Sequence, residues 1–187
     1  MPGMSDFKHI NVGELRERVT LLALTETGGS WSWAESGKLW AKVEKKTGRN
    51  LFSTVGLGGR GLSLTVRRRE LTLHNALLWR GQHCFLTDIQ DNGRLYLDVD
   101  AALVTPVACV YRGMSFPAVR TEKYTAWRQE VPMSVNLLTF VLVVPKAVPE
   151  LTPGELVTVA GEAWEVRVPH TLDEYKNEYE VGRTVEL

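Results

Sequence analysis

The stretch FLTDIQDNGRLYLDVD, from Phe85 to Asp100, decides the fold class. Asp91-Asn92-Gly93 is a strong turn signal, because Asn and Gly both tolerate a positive φ. From Leu95 through Val99, apolar and polar residues alternate, which is the period of a strand with one buried face. We therefore predict a β-hairpin with Phe85–Gln90 as its first strand and Arg94–Asp100 as its second.

The same period of two recurs along the rest of the chain. In Leu62–Arg67 it places Leu62, Leu64 and Val66 on one buried face. Further strands are predicted at Val19–Leu24, Leu39–Glu44, Leu138–Val144, Leu156–Ala160, Trp164–Val168 and Tyr179–Leu187.

Helical signals are few. Asn11 stands in a capping position before a short helix that we expect to end near Arg18. A second short helix is predicted at Glu122–Glu130, with Pro132 as its terminator. The predicted fold class is mainly β, with two small β-barrel or sandwich-like modules and one or two short helices.

Thr105-Pro106 reads as a boundary between modules. Before it, Leu77–Phe85 contains an apolar strand, a glycine turn and a returning aromatic strand, and Leu156–Trp164 has a similar layout. A weak repeat of this kind can also arise between unrelated hairpins. We expect a first module at residues 1–105 and a second, related β module at residues 106–187.

Composition excludes several classes of protein. The chain has 187 residues, of which 44 % are hydrophobic and 24 % are charged, as in ordinary globular proteins. Its longest strongly apolar run, Leu137–Val144, is too short to cross a bilayer, and Met1–Ile10 does not have the pattern of a secretion signal. Cys84 and Cys109 each stand among apolar residues, which favours buried free thiols in a reducing cytoplasm.

The zero net charge conceals a segregation of charge. Lys38–Arg69 contains nine basic residues and one acidic residue, whereas Glu150–Leu187 contains nine acidic residues and three basic residues. Opposite charges at two ends of a chain suit head-to-tail contact between copies, and a basic segment suits nucleic acid. Two solvated faces of different charge are the plainer alternative.

A glycine-rich segment, Ser53–Gly61, lies between two predicted strands and is expected to form a long loop. It has neither the lysine of a phosphate-binding loop nor a helix after it, so it does not predict a nucleotide site.

No motif indicates catalysis. The four histidines are scattered singly, and no serine lies in a nucleophile-elbow pattern. Glu178 and Glu180 share a strand face that we interpret as a solvated, acidic edge. We expect no catalytic residue, no metal, no cofactor and no enzymatic activity.

The six tryptophans suggest interfaces as well as cores. Trp31 and Trp33 lie beside a predicted loop at Thr25–Ser30, and either a contact surface or a sheet core explains them. Trp40, Trp79 and Trp164 fall within predicted strands, and we expect them in the core. Aromatic residues near the basic segment would also suit stacking on the bases of a single strand.

In order and spacing, residues 10–104 resemble the phage head–tail joining proteins, also called head-closure, stopper or connector proteins. The motifs that carry the resemblance are Gly13–Leu21, the loop with Trp31 and Trp33, Leu39–Glu44, Gly48–Phe52, the strand before Arg67, Trp79–Gly81 through Ile89, the turn at Asp91–Gly93, and Leu95–Leu97. The chain departs from the family pattern at Arg68-Arg69-Glu70 and in having a second module.

The resemblance implies a structural virion protein of a tailed phage or prophage, made in the bacterial cytoplasm. It implies a small β-barrel that forms a ring with copies of itself, with portal or adaptor and tail proteins as partners, transient contact with DNA and no membrane. The candidate loop or interface residues are Trp31, Trp33, Arg49, Phe52, Gly58, Gly59, Arg60 and Gly61.

Two alternatives stay open. An oligonucleotide-binding type of β-barrel would use the basic segment and its aromatic residues to bind nucleic acid. A minor tail or tail-terminator protein would belong to the same structural class as a head–tail joining protein.

Overall fold

The computed structural model describes residues 11–46, 60–121 and 137–184, and the architecture is mainly β, as the sequence predicts. The strands of this described part are β1 (Glu17–Thr27), β2 (Ser30–Lys46), β3 (Arg60–Arg67), β4 (Ala76–Trp79), β5 (Gln82–Asn92), β6 (Tyr96–Val104), β7 (Pro106–Tyr111), β8 (Met114–Thr121), β9 (Leu137–Pro145), β10 (Leu156–Val159), β11 (Glu162–His170) and β12 (Lys176–Thr184).

The strands close into two rings by antiparallel pairing. The first β-ring follows the order β1–β4–β5–β6–β3–β2, and β2 pairs again with β1. The second β-ring follows β7–β10–β11–β12–β9–β8, and β8 pairs again with β7. The two orders are the same when six is added to each strand number, so both halves of the chain have one topology.

Strand register shows that the likeness extends to single residues. Trp79 pairs with Gln82 across one turn, and Val159 pairs with Glu162 across the corresponding turn, 80 residues later. A β-bulge follows in β5 between Leu86 and Asp88, and β11 has one between Val166 and Val168, again 80 residues later. The predicted repeat aligned Leu77 with Leu156 and was therefore off by one residue.

The tight turns of the two β-rings also use one geometry. Arg80-Gly81 and Ala160-Gly161 both have positive φ at both residues, as do Gly28-Gly29 and Arg112-Gly113. Two-residue turns of this kind match the natural twist of a hairpin. At the second residue φ is 76–88°, beyond the range that other residues enter readily, which explains why each turn ends in Gly.

Each β-ring has a core of its own. Leu62, Leu64 and Val66 are fully buried in the first β-ring, as their alternation predicts, and Trp79 is buried beside them. In the second β-ring Trp164 is 3 % exposed and packs edge-on against Phe140, with ring centroids 4.5 Å apart. The prediction that Trp79 and Trp164 are core residues is confirmed.

The β-rings also pack against each other. Phe85 and Ala102 on the outside of the first β-ring form a buried cluster with Val119, Val141 and Val143 of the second. Ser30 and Ser115 form a parallel bridge, with their hydroxyl oxygens 2.5 Å apart. Burial of apolar surface between the two units stabilises their relative placement.

The chain start differs from its predicted helix. Asn11 caps a single 3₁₀ turn, Val12–Glu14, by accepting a hydrogen bond from the backbone N–H of Gly13 at 3.1 Å. The turn ends at Glu14 because β1 begins at Glu17 and draws the following backbone into the sheet. The helix predicted at Glu122–Glu130 lies outside the described residues.

Two predictions fail where the local pattern and the strand register differ. Leu95 is 69 % exposed because it belongs to the Gly93–Leu95 turn of the predicted hairpin and not to the strand after it. Val168 is 41 % exposed because the bulge in β11 inserts Arg167 and reverses the alternation.

The predicted acidic edge is not an edge. β12 lies between β11 and β9, so Glu178 is only 3 % exposed. Its carboxylate oxygen Oε1 lies 3.4 Å from the Nζ of Lys176. An oxygen of Glu180 lies 3.3 Å from the Nε2 of His170, so both carboxylates have polar neighbours on their own sheet.

Cys84 and Cys109 are free and buried, as predicted. Burial raises the pKa of the Cys84 thiol to about 11 and that of Cys109 to about 12, because a thiolate is poorly solvated in the core. In the described part of the chain, no helix is long and apolar enough to cross a membrane.

Candidate functional site

A groove on the outer surface of the first β-ring combines apolar and cationic side chains. It has a volume of about 550 Å³ and is referred to below as the arginine groove. Its lining residues are Val12, Leu15, Leu39, Trp40, Arg67, Arg68 and Arg69. Apolar surface with a few convergent polar groups is typical of sites that bind a ligand or partner.

The prediction that Trp40 lies in the core is wrong. Trp40 is 58 % exposed, whereas its neighbours Leu39 and Ala41 are buried. In a strand successive side chains point to opposite faces, so a β2 that buries Leu39 and Ala41 must turn Trp40 outward. A large exposed aromatic side chain in a groove is typical of an anchor at a protein interface.

Backbone and side-chain contacts hold the arginines in place. Arg67 ends β3, opposite Tyr96 of β6. Arg68 donates from its backbone N–H to the carbonyl of Leu95 at 2.7 Å, and its guanidinium lies 2.7 Å from Asp91. Arg69 donates from Nη1 to the carbonyl of Lys38 at 3.2 Å. The three cationic groups therefore sit on a fixed segment of chain.

Three other cations of the basic segment, Lys38, Lys42 and Lys46, have acidic partners in the described part of the chain. Lys38 lies 3.1 Å from Glu35, and Lys46 lies 2.6 Å from Asp100. Lys42 lies 2.7 Å from Glu14, whose hydrogen bond raises the pKa of the lysine. Local pairing of this kind reduces the field of the segment, and within the groove Arg68 is paired with Asp91 in the same way.

The predicted interface residues Trp31 and Trp33 lie on β2. This strand begins at Ser30, the last residue of the loop predicted at Thr25–Ser30. In the pairing with β1, Leu21 lies opposite Gly37 and Leu22 opposite Glu35, so Ser36 is an extra residue. This bulge reverses the alternation and turns both tryptophans away from the core of the first β-ring.

Both tryptophans contact other parts of the chain. Trp31 packs against the core of the second β-ring, together with Leu24. Trp33 faces His83, with ring centroids 5.3 Å apart, and lines a cavity of about 170 Å³ between the β-rings. The structure thus places them at an internal interface. Burial lowers the pKa of His83 to about 4, because its imidazolium would be poorly solvated there.

The remaining predicted site residues are described only in part. Arg60 is exposed at the start of β3 and lines a cleft of about 660 Å³ with His83 and Pro106. Gly61 is buried and pairs with Ala102. Arg49, Phe52, Gly58 and Gly59 lie outside the described residues, so their role stays a prediction.

Two tight turns carry an aromatic–Arg–Gly sequence that binds a glutamate. At Trp79-Arg80-Gly81, Glu17 accepts from the Trp79 indole at 3.1 Å and from Arg80 Nη2 at 2.7 Å. These hydrogen bonds, led by that of Arg80, hold the pKa of Glu17 below its usual value.

At Tyr111-Arg112-Gly113, Glu155 accepts from the tyrosine hydroxyl and from Arg112, whose Nε lies 2.8 Å away. The same causes, with Arg112 first, lower the pKa of Glu155. Both forks bridge equivalent strand pairs, β1–β4 and β7–β10, so we assign them to bracing the β-rings.

Among the described residues, no group of three or more His, Cys, Asp or Glu side chains is placed to hold a metal ion. Comparison of the chain with protein-family models, with curated proteins and with solved structures gave no match. Function is therefore argued from the arginine groove, the paired β-rings and the sequence resemblance.

Proposed function

We propose that the chain is a structural protein of a tailed phage or prophage that closes or adapts the head–tail junction. It acts there as one copy in a ring around the DNA channel, between portal or adaptor proteins on one side and tail proteins on the other. Its location is the virion, after assembly in the bacterial cytoplasm. The proposal assigns it no catalytic role and no cofactor.

One observation carries this proposal. The resemblance to head–tail joining proteins covers residues 10–104, and the first β-ring ends at Val104. Resembling residues occur in each of its strands, from the start of β1 to Leu97 in β6. The likeness therefore coincides with one complete folding unit and does not stop within a sheet.

The surface of that unit supports an assembly role. Trp40 and the arginines form a groove on its outer face, and the β-ring beneath them is a closed, hydrogen-bonded frame. A rigid frame lowers the entropic cost of ordering a contact surface on binding. Arg60 and Gly61 belong to β3 and not to the predicted loop, so the proposal places only the exposed Arg60, at the start of that strand, towards the channel or a neighbouring copy.

Electron microscopy tests the proposal. Portal complexes from the same phage or prophage are imaged alone, as the control, and after incubation with the purified chain. We expect an additional ring of density on the tail-proximal face of the portal. Portal complexes that look unchanged at a saturating concentration of the chain would contradict the proposal. Density only at the distal end of a tail tube would favour a tail-terminator role.

A second candidate, single-stranded nucleic-acid binding, is favoured by the combination of Trp40 with Arg67, Arg68 and Arg69. Bases stack on aromatic side chains, and arginines bind phosphates. It predicts quenching of tryptophan fluorescence by an oligonucleotide, with an affinity that falls steeply as salt rises. Trp40→Ala is then expected to weaken binding, and an oligonucleotide that leaves the wild-type fluorescence unchanged contradicts this candidate.

A further inference from the structure

The loop between β11 and β12 projects an apolar side chain with two acids beside it. Leu172 is 103 % exposed, and Asp173 and Glu174 are exposed as well. We call these residues the leucine knob. A single exposed leucine is ordinary on a protein surface, so an interface is inferred from the charged groups beside it and from the arginine groove.

The leucine knob has a fixed shape. Asp173 accepts hydrogen bonds at Oδ1 from the backbone N–H groups of Tyr175 at 2.8 Å and Lys176 at 3.1 Å. The Tyr175 ring packs edge-on against His74 of the first β-ring, with centroids 4.9 Å apart. Because its base is held in this way, the knob can bind a partner without a large loss of conformational entropy.

The arginine groove is the complement of the leucine knob in both chemistry and size. Val12, Leu15, Leu39 and Trp40 supply an apolar lining, and Arg67, Arg68 and Arg69 supply the cations. A volume of about 550 Å³ accommodates a leucine with its two acidic neighbours. The knob does not occupy the groove of its own chain, since Leu172 is fully exposed.

We propose that the leucine knob of one copy docks in the arginine groove of a second copy, with Leu172 against Trp40 and the two carboxylates among the arginines. The contact joins two different surfaces, so it is heterologous and repeats head to tail until it closes into a ring. It rests on the proposed function, for which it names the contact between neighbouring copies.

Charge complementarity identifies a second copy as the occupant. The groove presents Arg67, Arg68 and Arg69, and the knob presents the exposed Asp173 and Glu174, so the two surfaces carry opposite charges. Nucleic acid would engage the arginines but would leave Leu172 exposed. A second copy engages all of these groups at once.

The first test removes the apolar part of the knob. Sedimentation velocity over a range of concentrations measures self-association of the full chain, of Leu172→Ser and of Leu156→Ser. Leu156 is the matched control, because it is also an exposed leucine of the second β-ring, at 64 %. We expect Leu172→Ser to associate about 30-fold more weakly than the wild type and Leu156→Ser to associate like the wild type.

The second test exchanges the charges. Arg67→Glu and Glu174→Arg change exposed groups that the fold does not use as braces, and Arg68 is left intact because it binds Asp91. We expect each single variant to associate about fivefold more weakly than the wild type. The double variant is expected to recover wild-type association, which a general loss of stability would not produce.

Three results would overturn the contact. They are a wild-type chain that stays monomeric at millimolar concentration, a Leu172→Ser chain that associates like the wild type, and a double charge variant without recovery. These results are independent of the portal experiment: extra density without dependence on Leu172 leaves the proposed function standing. Association that depends on Leu172 without density at the portal leaves the contact standing and removes the junction.

Discussion

The two β-rings share a topology, but within the described residues only the first extends an arm, the part of the β1–β2 hairpin beyond Leu21, onto its neighbour. Val19 pairs with Trp79, and Cys109 pairs with the equivalent Val159, so Leu21 of β1, two residues further along, corresponds to Tyr111 of β7. After Tyr111 the chain turns at once, whereas after Leu21 the hairpin continues to Gly28-Gly29. The additional length brings Trp31 and Leu24 against the core of the second β-ring. The comparison shows how one framework acquires a contact by lengthening a single hairpin.

The surfaces of the β-rings differ as much as the arm does. The first carries the arginine groove with the exposed Trp40, and the second carries acidic residues and the exposed Leu172. The two β-rings share their strand register, the bulge in β5 and β11, and the glycines of their tight turns, and all of these belong to the sheet itself. The features that differ lie on the outside, where they affect recognition more than stability.

The largest expected effect separates the tryptophans of core and surface. Trp164→Ala leaves a cavity beside Phe140 and should lower the free energy of unfolding by about 3–5 kcal/mol. Trp40→Ala removes an exposed side chain and should change it by about 0.5 kcal/mol. Urea unfolding measures both, and similar losses for the two variants would contradict the assignment of Trp40 to the surface.

A smaller effect tests the arm. Trp31→Ala removes a half-buried side chain that packs on the second β-ring and should cost about 2 kcal/mol. We expect hydrogen exchange to accelerate in β7 and β8 as well as in β2, because the contact couples both β-rings. Acceleration confined to β2 would show that the arm does not stabilise its neighbour.

A pH-dependent difference follows from His83, which corresponds to Ala163 in the second β-ring. Because the pKa of His83 in the folded protein is about 4, below the ordinary value of 6.5 for histidine, the unfolded chain binds the proton first as the pH falls. The stability is complete above pH ~6.5 and should fall by about 2 kcal/mol between pH 7 and pH 5.

His83→Ala makes the two positions alike and should abolish this contribution. Urea unfolding of the wild type and of His83→Ala at pH 7 and pH 5 measures it. An equal loss in both proteins would assign the dependence to other groups.

The smallest effect compares equivalent turns. Gly81→Ala and Gly161→Ala place a Cβ in open space at a positive φ, so the cost is backbone strain of about 1–2 kcal/mol in each. Thermal unfolding should show closely similar shifts for the two variants. A loss confined to one of them would break the equivalence of the two β-rings.

Sequence patterns predict the strands and the core of this molecule better than they predict which side chains lie on its surface. The hairpin around Asn92 and the buried face of β3 follow from turn chemistry and strict alternation, and the structure contains both. The bulges at Ser36 and Arg167 could not be predicted, because an extra residue in a strand has no signature in a single sequence. They decide where Trp33 and Val168 point, so the predicted faces fail there.

Two further features had usable signals. Tyr111-Arg112-Gly113 has the same kind of sequence as Trp79-Arg80-Gly81, and this likeness would have revealed the β7–β8 hairpin that the sequence reading missed. The apolar residues Leu39 and Ala41 on either side of Trp40 are the second signal. If both face the core from one strand, Trp40 between them must face outward. The arginine groove itself depends on the closure of β3 beside β2, which is a tertiary contact that no local pattern encodes.

Along the chain, Thr105 is the one residue between the two β-rings, since β6 ends at Val104 and β7 starts with Pro106. Proline restricts rotation at this joint, and the cluster around Phe85 closes the gap beside it. We therefore expect the two β-rings to move as one body, so that docking of one β-ring also orients the other.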